Sequence, residues 1–310
     1  MPILQLKPAC KSYLWGGCRL KTEYHKEFAG DVLAETWELS CHPDGPCTVS
    51  NGVFAGRTLR EYIAAEGKRV LGSNCQIFSE FPILIKFIDA QKDLSIQVHP
   101  NNMDAMEGEG QYGKTELWYI LDAEPGAFLY YGFDHEISRD EFRRRITENT
   151  LPEVLNAVPV HRGDLFYIPA GTIHAICKGI LVAEIQQSSN VTYRVYDYGR
   201  VDAGGNPRAL HIAQALEVTK LSPPRSDYNF GDHLARSTYF TVDELTAPTA
   251  FDCDDESFAS LLIVDGEGII ENHDETVAAH KGDSLFIPAD SGEVKLSGSL
   301  RALCTRVGTI

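Results

Sequence analysis

Short runs of β-branched and aromatic residues, set between turn formers, dominate the chain. Pro82–Ala90, Leu94–His99, Thr115–Ala123 and Ala127–Phe133 read as strands, and Asp164–Ala170, Ile180–Ser188 and Thr192–Tyr198 follow. Many short strands at close spacing predict a mainly β protein, a sandwich or barrel rather than alternating βαβ units. After Thr238 the chain is strand-like again, with glycine-containing turns at Asp265–Gly268 and Lys281–Asp283.

Helices are few and their starts are marked. Thr58-Leu-Arg-Glu61 has the capping-box pattern and predicts a helix over Leu59–Glu66. Ser138-Arg-Asp-Glu141 predicts another, running towards Glu148, and Leu151-Pro152 opens a further turn. His211–Thr219 fits a short helix. Asp104–Glu109 reads as an acidic, glycine-containing loop. Ser222-Pro-Pro-Arg-Ser-Asp227 is the best linker. It divides the chain into a first unit, 1–225, with helical insertions at about 58–66 and 138–157, and a smaller second unit, 226–310. The units share a partial repeat: Gly163-Asp-Leu-Phe-Tyr-Ile-Pro-Ala170 resembles Gly282-Asp-Ser-Leu-Phe-Ile-Pro-Ala289. They are not equivalent. His174 lies 11 residues after Gly163, and the matching position after Gly282 is Glu293.

Composition narrows the function. The 310 residues are 43% hydrophobic and 23% charged, enough for a sizeable core. The formal net charge of −16 argues against a nucleic-acid or anionic-membrane binder, although a small phosphorylated substrate in a locally basic pocket is compatible. No apolar run approaches a membrane span, and Met1–Lys11 has no signal-peptide core. The eight cysteines are dispersed and form no C-x-x-C pair, so they read as reduced thiols of a cytoplasmic protein.

Polar residues recur at strand spacing where packing does not ask for them. Ser95, Gln97 and His99 share one face of a strand, with Ile96 and Val98 on the other. Lys114, Glu116 and Trp118 share another face. Glu184, Gln186 and Ser188 alternate likewise, and after a turn so do Thr192, Arg194 and Tyr196. Gly163-x5-Pro169-x-Gly171-x2-His174 places a histidine directly after a tight turn.

That last spacing resembles the second motif of the cupin superfamily, whose histidine binds a metal inside a small β-barrel. Gln97-x-His99 stands where the first cupin motif has H-x-H, and Glu116 follows later than in simple cupins. Gln97, His99, Glu116 and His174 would then make an N/O donor set suited to Zn²⁺, with Mn²⁺, Co²⁺ or Fe²⁺ possible. The ordered set Ser95-Ile-Gln-Val-His-Pro100, Lys114-Thr-Glu-Leu-Trp-Tyr119, Ile168-Pro-Ala-Gly-Thr-Ile-His-Ala175 and Ser189-Asn-Val-Thr-Tyr-Arg-Val-Tyr-Asp-Tyr198 closely resembles type I mannose-6-phosphate isomerases of the short bacterial form. Tyr13-Leu-Trp-Gly16 and Glu35-Thr-Trp-Glu-Leu-Ser40 resemble that family's early segments, so the likeness runs to about Arg208.

The resemblance implies two cupin-like jelly-roll units, the second degenerate, and one Zn²⁺ per chain held by Gln97, His99, Glu116 and His174. It implies interconversion of mannose 6-phosphate and fructose 6-phosphate through an enediolate. It places the catalytic arginine at Arg194, active-site lysines at Lys86 and Lys114, and an acidic group near the substrate at Glu184. Ser95, Lys86, Lys114 and Arg200 are the candidates for the phosphate. Glu184, His99 and Lys114 all remain candidates for the general base. Two other readings stay open: another metal-dependent cupin enzyme, such as an iron dioxygenase, and a non-catalytic sugar-phosphate sensor. Oligomeric state is not legible in the sequence.

Overall fold

The computed structural model describes residues 1–201, 205–273 and 275–308. Residues 202–204, 274, 309 and 310 of the two expected units lie outside that description. Four antiparallel sheets stack in layers. A five-stranded sheet has the order Tyr193–Tyr196, Ile96–Val98, His174–Ile176, Phe128–Phe133, Leu155–Pro159. A six-stranded sheet runs Leu165–Ile168, Glu116–Ala123, Ile180–Gln187, Ile83–Ala90, Glu35–Leu39, Ala9–Lys11. Seven-stranded and four-stranded sheets form the C-terminal part.

Strand alternation explains the layering. In the six-stranded sheet Ile85, Phe87, Leu117, Tyr119, Leu181 and Ala183 pack with Phe240, Phe258 and Phe286 of the C-terminal part. On its other face Ile88, Trp118, Ile120 and Val182 pack with Leu129 and Ile176 of the five-stranded sheet. Both faces are covered, which is why Ile83–Ala90 and Ile180–Gln187 are buried throughout. The five-stranded sheet turns Ile96, Val98, Tyr193 and Val195 outward onto Phe142, Ile146, Ala215 and Leu216. Those four lie on helices Arg139–Thr147 and Ile212–Val218. The polar residues between them on the same strands therefore face the six-stranded sheet.

The expected strands and helices are present, with two differences. The first helix, Leu59–Glu66, carries the full Thr58/Glu61 capping box, and Ser138 caps the Glu141 amide. The region expected to be helical to 157 ends in a 3₁₀ turn at Leu151–Val154, after which Leu155–Pro159 is strand. Asp104–Glu109 is not a loop. Asn101 accepts the Asp104 amide and starts a short helix, Asn102–Gly108. The N-terminal strand Leu4–Lys7 pairs with Ser284–Ile287 and, on its other side, with Thr48–Val49, so two strands from the first unit extend the C-terminal sheet.

The internal repeat has a structural counterpart. Gly163 and Gly282 occupy equivalent tight turns with φ of +93° and +97°. In each turn the preceding histidine amide, of His161 or His280, donates to the aspartate that follows the glycine, at 2.7 and 2.8 Å. The strand after each turn pairs antiparallel with an earlier strand, Leu165–Ile168 with Glu116–Ala123 and Ser284–Ile287 with Ala259–Asp265, but the first is a sheet edge and the second has Leu4–Lys7 on its other side. Glu293, at the place of His174, is exposed and paired with Lys295. A metal-binding histidine has no counterpart there.

Candidate metal centre and active-site cavity

Three strands bring a triad together. His99 follows Ile96–Val98, Glu116 starts Glu116–Ala123, and His174 starts His174–Ile176, directly opposite Gln97 in the ladder. One ligand atom from each of His99, Glu116 and His174 lies within 4.8 Å of the others, and all three residues are buried. His99 Nδ1 donates to the Val191 carbonyl and His174 Nδ1 to the Thr172 carbonyl, both at 2.8 Å. A carbonyl oxygen only accepts, so each Nδ1 carries the proton. Each Nε2 is left as a lone pair aimed at the centre, the arrangement that orients metal-binding imidazoles.

Electrostatics agree with this donor set. Burial and the neighbouring Lys114 push the His99 imidazole well below its ordinary pKa and the His174 imidazole down to about 4. Both are therefore neutral at physiological pH, as ligation requires. His174 Nε2 and Glu116 Oε1 are buried without a hydrogen bond, while the only donor within hydrogen-bonding distance of Glu116 Oε2 among the described residues is the Lys114 ammonium. Gln186 Oε1, opposite Glu116 in the ladder, is a further buried oxygen without a hydrogen bond. Unpartnered nitrogen and oxygen donors facing one point are costly unless a cation satisfies them. The residues present fit a divalent metal.

Beside the triad runs a row of alternating charges. Lys114 Nζ lies 2.7 Å from Glu116 Oε2, 3.2 Å from His99 Nε2 and 3.5 Å from Glu184 Oε1. Lys86 Nζ lies 3.5 Å from Glu184 Oε1 and 3.4 Å from Glu35 Oε2. Trp118 and Trp37 donate their indole N–H groups at 2.8 Å to Glu184 and Glu35 respectively. Burial alone would raise the Glu184 pKa, but Lys114, Lys86 and the Trp118 bond outweigh it and hold the carboxyl low. Burial raises that of Glu116, the attraction of Lys114 notwithstanding.

These groups border a cavity of about 360 Å³ between the two sheets. Lys86, Ser95, Gln97, Lys114, Glu184 and Arg194, all singled out in the sequence, line it. His99, Glu116 and His174 lie behind Lys114, which touches the first two. Arg194 donates through Nε to Ser95 Oγ at 3.0 Å. Arg200 does not border this cavity. Its guanidinium is held by Asp197 and the Asp93 carbonyl beside an adjoining cavity.

The sequence reading missed Glu35, Asn190, Arg208 and His211, which also line the cavity. Glu35 and Arg208 stood inside segments already noticed, but nothing local said that they would meet the stripe at Lys86 and Arg194. The helix Asn102–Gly108 contributes nothing to the cavity lining.

Comparison with known proteins places the chain. A family model described as phosphomannose isomerase type I, catalytic domain, matches residues 3–124, and one described as mannose-6-phosphate isomerase, cupin domain, matches residues 231–307. The mannose-6-phosphate isomerase of Streptococcus mutans is 36% identical over 301 residues, spanning 94% of each chain. The mannose-6-phosphate isomerase ManA of Bacillus subtilis is 35% identical over 307 residues, covering 95% of this chain and 96% of that protein. The crystal structure of a Bacillus subtilis mannose 6-phosphate isomerase superposes with a TM-score of 0.89 at 33% identity, over 98% of this chain and 99% of that one. A mannose 6-phosphate isomerase crystallised with zinc and yttrium shares the fold, with a TM-score of 0.77 at 19% identity and full coverage of both chains.

Proposed function

We propose that this chain, which belongs to the mannose-6-phosphate isomerase family, interconverts mannose 6-phosphate and fructose 6-phosphate as a metal-dependent aldose–ketose isomerase. One observation carries the reading. The neutral, pre-oriented imidazoles of His99 and His174 converge with Glu116 behind the wall of a charged cavity, in a chain alignable nearly end to end with named isomerases. Zinc is the proposed ion, one per chain, held by His99, Glu116, His174 and the Gln97 amide oxygen. When bound, it supplies a Lewis acid at the sugar carbonyl.

The chain's own residues supply the rest. Isomerisation moves a proton between C2 and C1 of the open-chain sugar while negative charge grows on oxygen. Glu184 is the proposed proton carrier. Its carboxylate is ionised, lines the cavity and is fixed by the Trp118 N–H. His99 directs its free nitrogen to the metal centre and is less suited to that work. Lys114 is placed to donate to the charged oxygens, and Arg194 to stabilise them with fixed N–H donors. Ser95 holds the Arg194 guanidinium. The apolar residues between the sheets, Ile88 and Trp118 among them, limit water at the reacting carbons. Every described cysteine is free, and no described helix is long and apolar enough to cross a membrane. A cytoplasmic location is part of the same proposal.

The test is turnover of mannose 6-phosphate by the purified protein in D₂O, followed by NMR. The reading expects fructose 6-phosphate with some deuterium at C1, the mark of a proton passing through a protein base. Metal-loaded protein that binds the sugar phosphate without forming product would favour the sensor reading. Iron-dependent oxygen consumption would favour the dioxygenase.

A further inference from the structure

Two neighbouring glutamines behind the metal centre have no part in the mechanism so far. Gln186 and Gln187 end the strand Ile180–Gln187, and both are buried. Gln186 shares a face with Glu184 and lies directly opposite Glu116. Its amide nitrogen donates twice, to the Gln187 carbonyl at 2.8 Å and to the Ser189 carbonyl at 2.7 Å. Both hydrogens are thus spent on backbone oxygens. That fixes which way the amide is turned and leaves Oε1 buried without a donor among the described residues. An unpaired buried oxygen is costly, and an apolar side chain of similar size would avoid it. The cost is offset by what the amide nitrogen holds.

It holds a turn that carries a carbonyl the centre needs. The Ser189 amide donates back to the Gln187 carbonyl at 2.7 Å, and the Val191 amide donates to Ser189 Oγ at 3.3 Å. The Val191 carbonyl then accepts from His99 Nδ1 at 2.8 Å, the bond that aims His99 Nε2 at the centre. On the exposed side Asn190 ties the same turn to Gln111 and Asp44, at 3.3 and 2.9 Å. Gln186 holds it from the buried side. Gln187 points to the opposite face of the strand and grips a different segment. Its Oε1 accepts the Thr115 amide at 2.9 Å, and its Nε2 donates to Asn102 Oδ1 at 2.8 Å. Asn102 Oδ1 also accepts the Gly113 amide at 2.9 Å. The stretch that presents Lys114 and Glu116 is therefore held at Gly113 and at Thr115.

We propose that Gln186 and Gln187 are positioning residues of the metal centre: Gln186 sets the Val191 carbonyl that orients His99, and Gln187 sets the segment that presents Glu116. This rests on the metal-dependent reading and deepens it. Neither glutamine borders the cavity beside the triad, so both act through the triad and not on the sugar. Their strand is paired with a neighbour on each side, which makes it a rigid reference for two of the three donors. The same strand carries Glu184, so the proposed proton carrier and the metal centre are set from one element.

The experiment measures the Zn²⁺ dissociation constant, by competition with a chromophoric chelator, in wild type, Gln186→Met, Gln187→Met and Gly282→Ala. Methionine keeps nearly the length and volume of glutamine and removes its hydrogen bonds. Loss of a group that orients a metal-binding side chain weakens metal binding about 10- to 100-fold, and that is the expected change in each glutamine variant. The visible absorption bands of the Co²⁺-loaded protein should shift in both, because they report ligand geometry. Gly282→Ala strains a turn of the C-terminal part and should leave both readouts at their wild-type values. A merely structural role for the glutamines would lower thermal stability and leave metal affinity and the Co²⁺ bands unchanged. Affinity within about threefold of wild type, with unshifted bands, overturns the role of the residue replaced, and in both variants it overturns the proposal. Should the variants fail to fold, hydrogen–deuterium exchange of wild type decides. Coupling between the turn and His99 requires Zn²⁺ to slow exchange in residues 187–191, and identical exchange with and without Zn²⁺ overturns the proposal. Wild type that binds Zn²⁺ tightly but leaves mannose 6-phosphate unchanged overturns the isomerase reading alone, and the affinities still decide this one. Wild type with no tight divalent-metal site overturns the metal centre and this proposal with it.

Discussion

Trp118 donates its indole N–H to Glu184 Oε2 at 2.8 Å, between residues directly opposite each other in adjacent strands. Both are buried, so the bond is shielded from competing water. It fixes the carboxylate that is proposed to carry the proton. The same indole packs edge-on against His174, with ring centroids 5.3 Å apart. One side chain therefore braces both the proposed proton carrier and an imidazole of the candidate metal centre.

Replacing Trp118 by Phe keeps an aromatic ring and removes the donor. We expect kcat to fall about 10-fold or more, since a lost bond to a charged group is worth roughly 1.5–3 kcal/mol. Metal content should stay stoichiometric because His99 and His174 keep their backbone acceptors. Measuring kcat and bound metal on one preparation checks this, and a kcat within twofold of wild type would remove the assigned role.

Arg194→Ala tests the stabilisation of growing charge. Removal of one preorganised donor typically costs about 10²–10³ in kcat. Arg194 contacts none of the triad, so bound metal should be unaffected. A drop in metal content equal to the drop in kcat would mean that the residue supports the centre structurally.

The paired turns offer a stability test outside the site. Both Gly163 and Gly282 have positive φ, where an added Cβ costs about 1–2 kcal/mol. At Gly163 a Cβ would meet nothing within 4 Å, whereas at Gly282 it would lie 2.6 Å from the Tyr24 carbonyl oxygen. Gly282→Ala should therefore lose about 1–3 kcal/mol more than Gly163→Ala in denaturant unfolding. Equal losses would contradict the close approach at the second turn.

What the sequence made legible was what strand periodicity makes local. Ser95, Gln97 and His99 face inward because Ile96 and Val98 are claimed by the helices outside. His174 was marked by its turn, and Glu116 by its place two residues after Lys114. The long-range pairings were not legible. Glu35 reaches the site because its strand pairs with Ile83–Ala90. Leu4–Lys7 joins the C-terminal sheet through a register that no local pattern encodes. Arg200 and Arg208 look alike in sequence, and both meet Asp197, yet only Arg208 reaches the cavity beside the triad. The helix at Asn102–Gly108 was hidden by its acidic, glycine-ended composition, while its signal, the Asn101 cap, is a single side chain.

The central claim is that a divalent metal at His99, Glu116 and His174 enables the isomerisation. The direct measurement is bound metal and mannose 6-phosphate turnover, followed together in as-purified, chelator-treated and Zn²⁺-restored protein, with His174→Ala alongside. The account predicts that activity and metal fall together on chelation and return together at one Zn²⁺ per chain. It also predicts that His174→Ala retains little metal and regains no activity. Full turnover by metal-free protein, or stoichiometric metal in active His174→Ala, would contradict it.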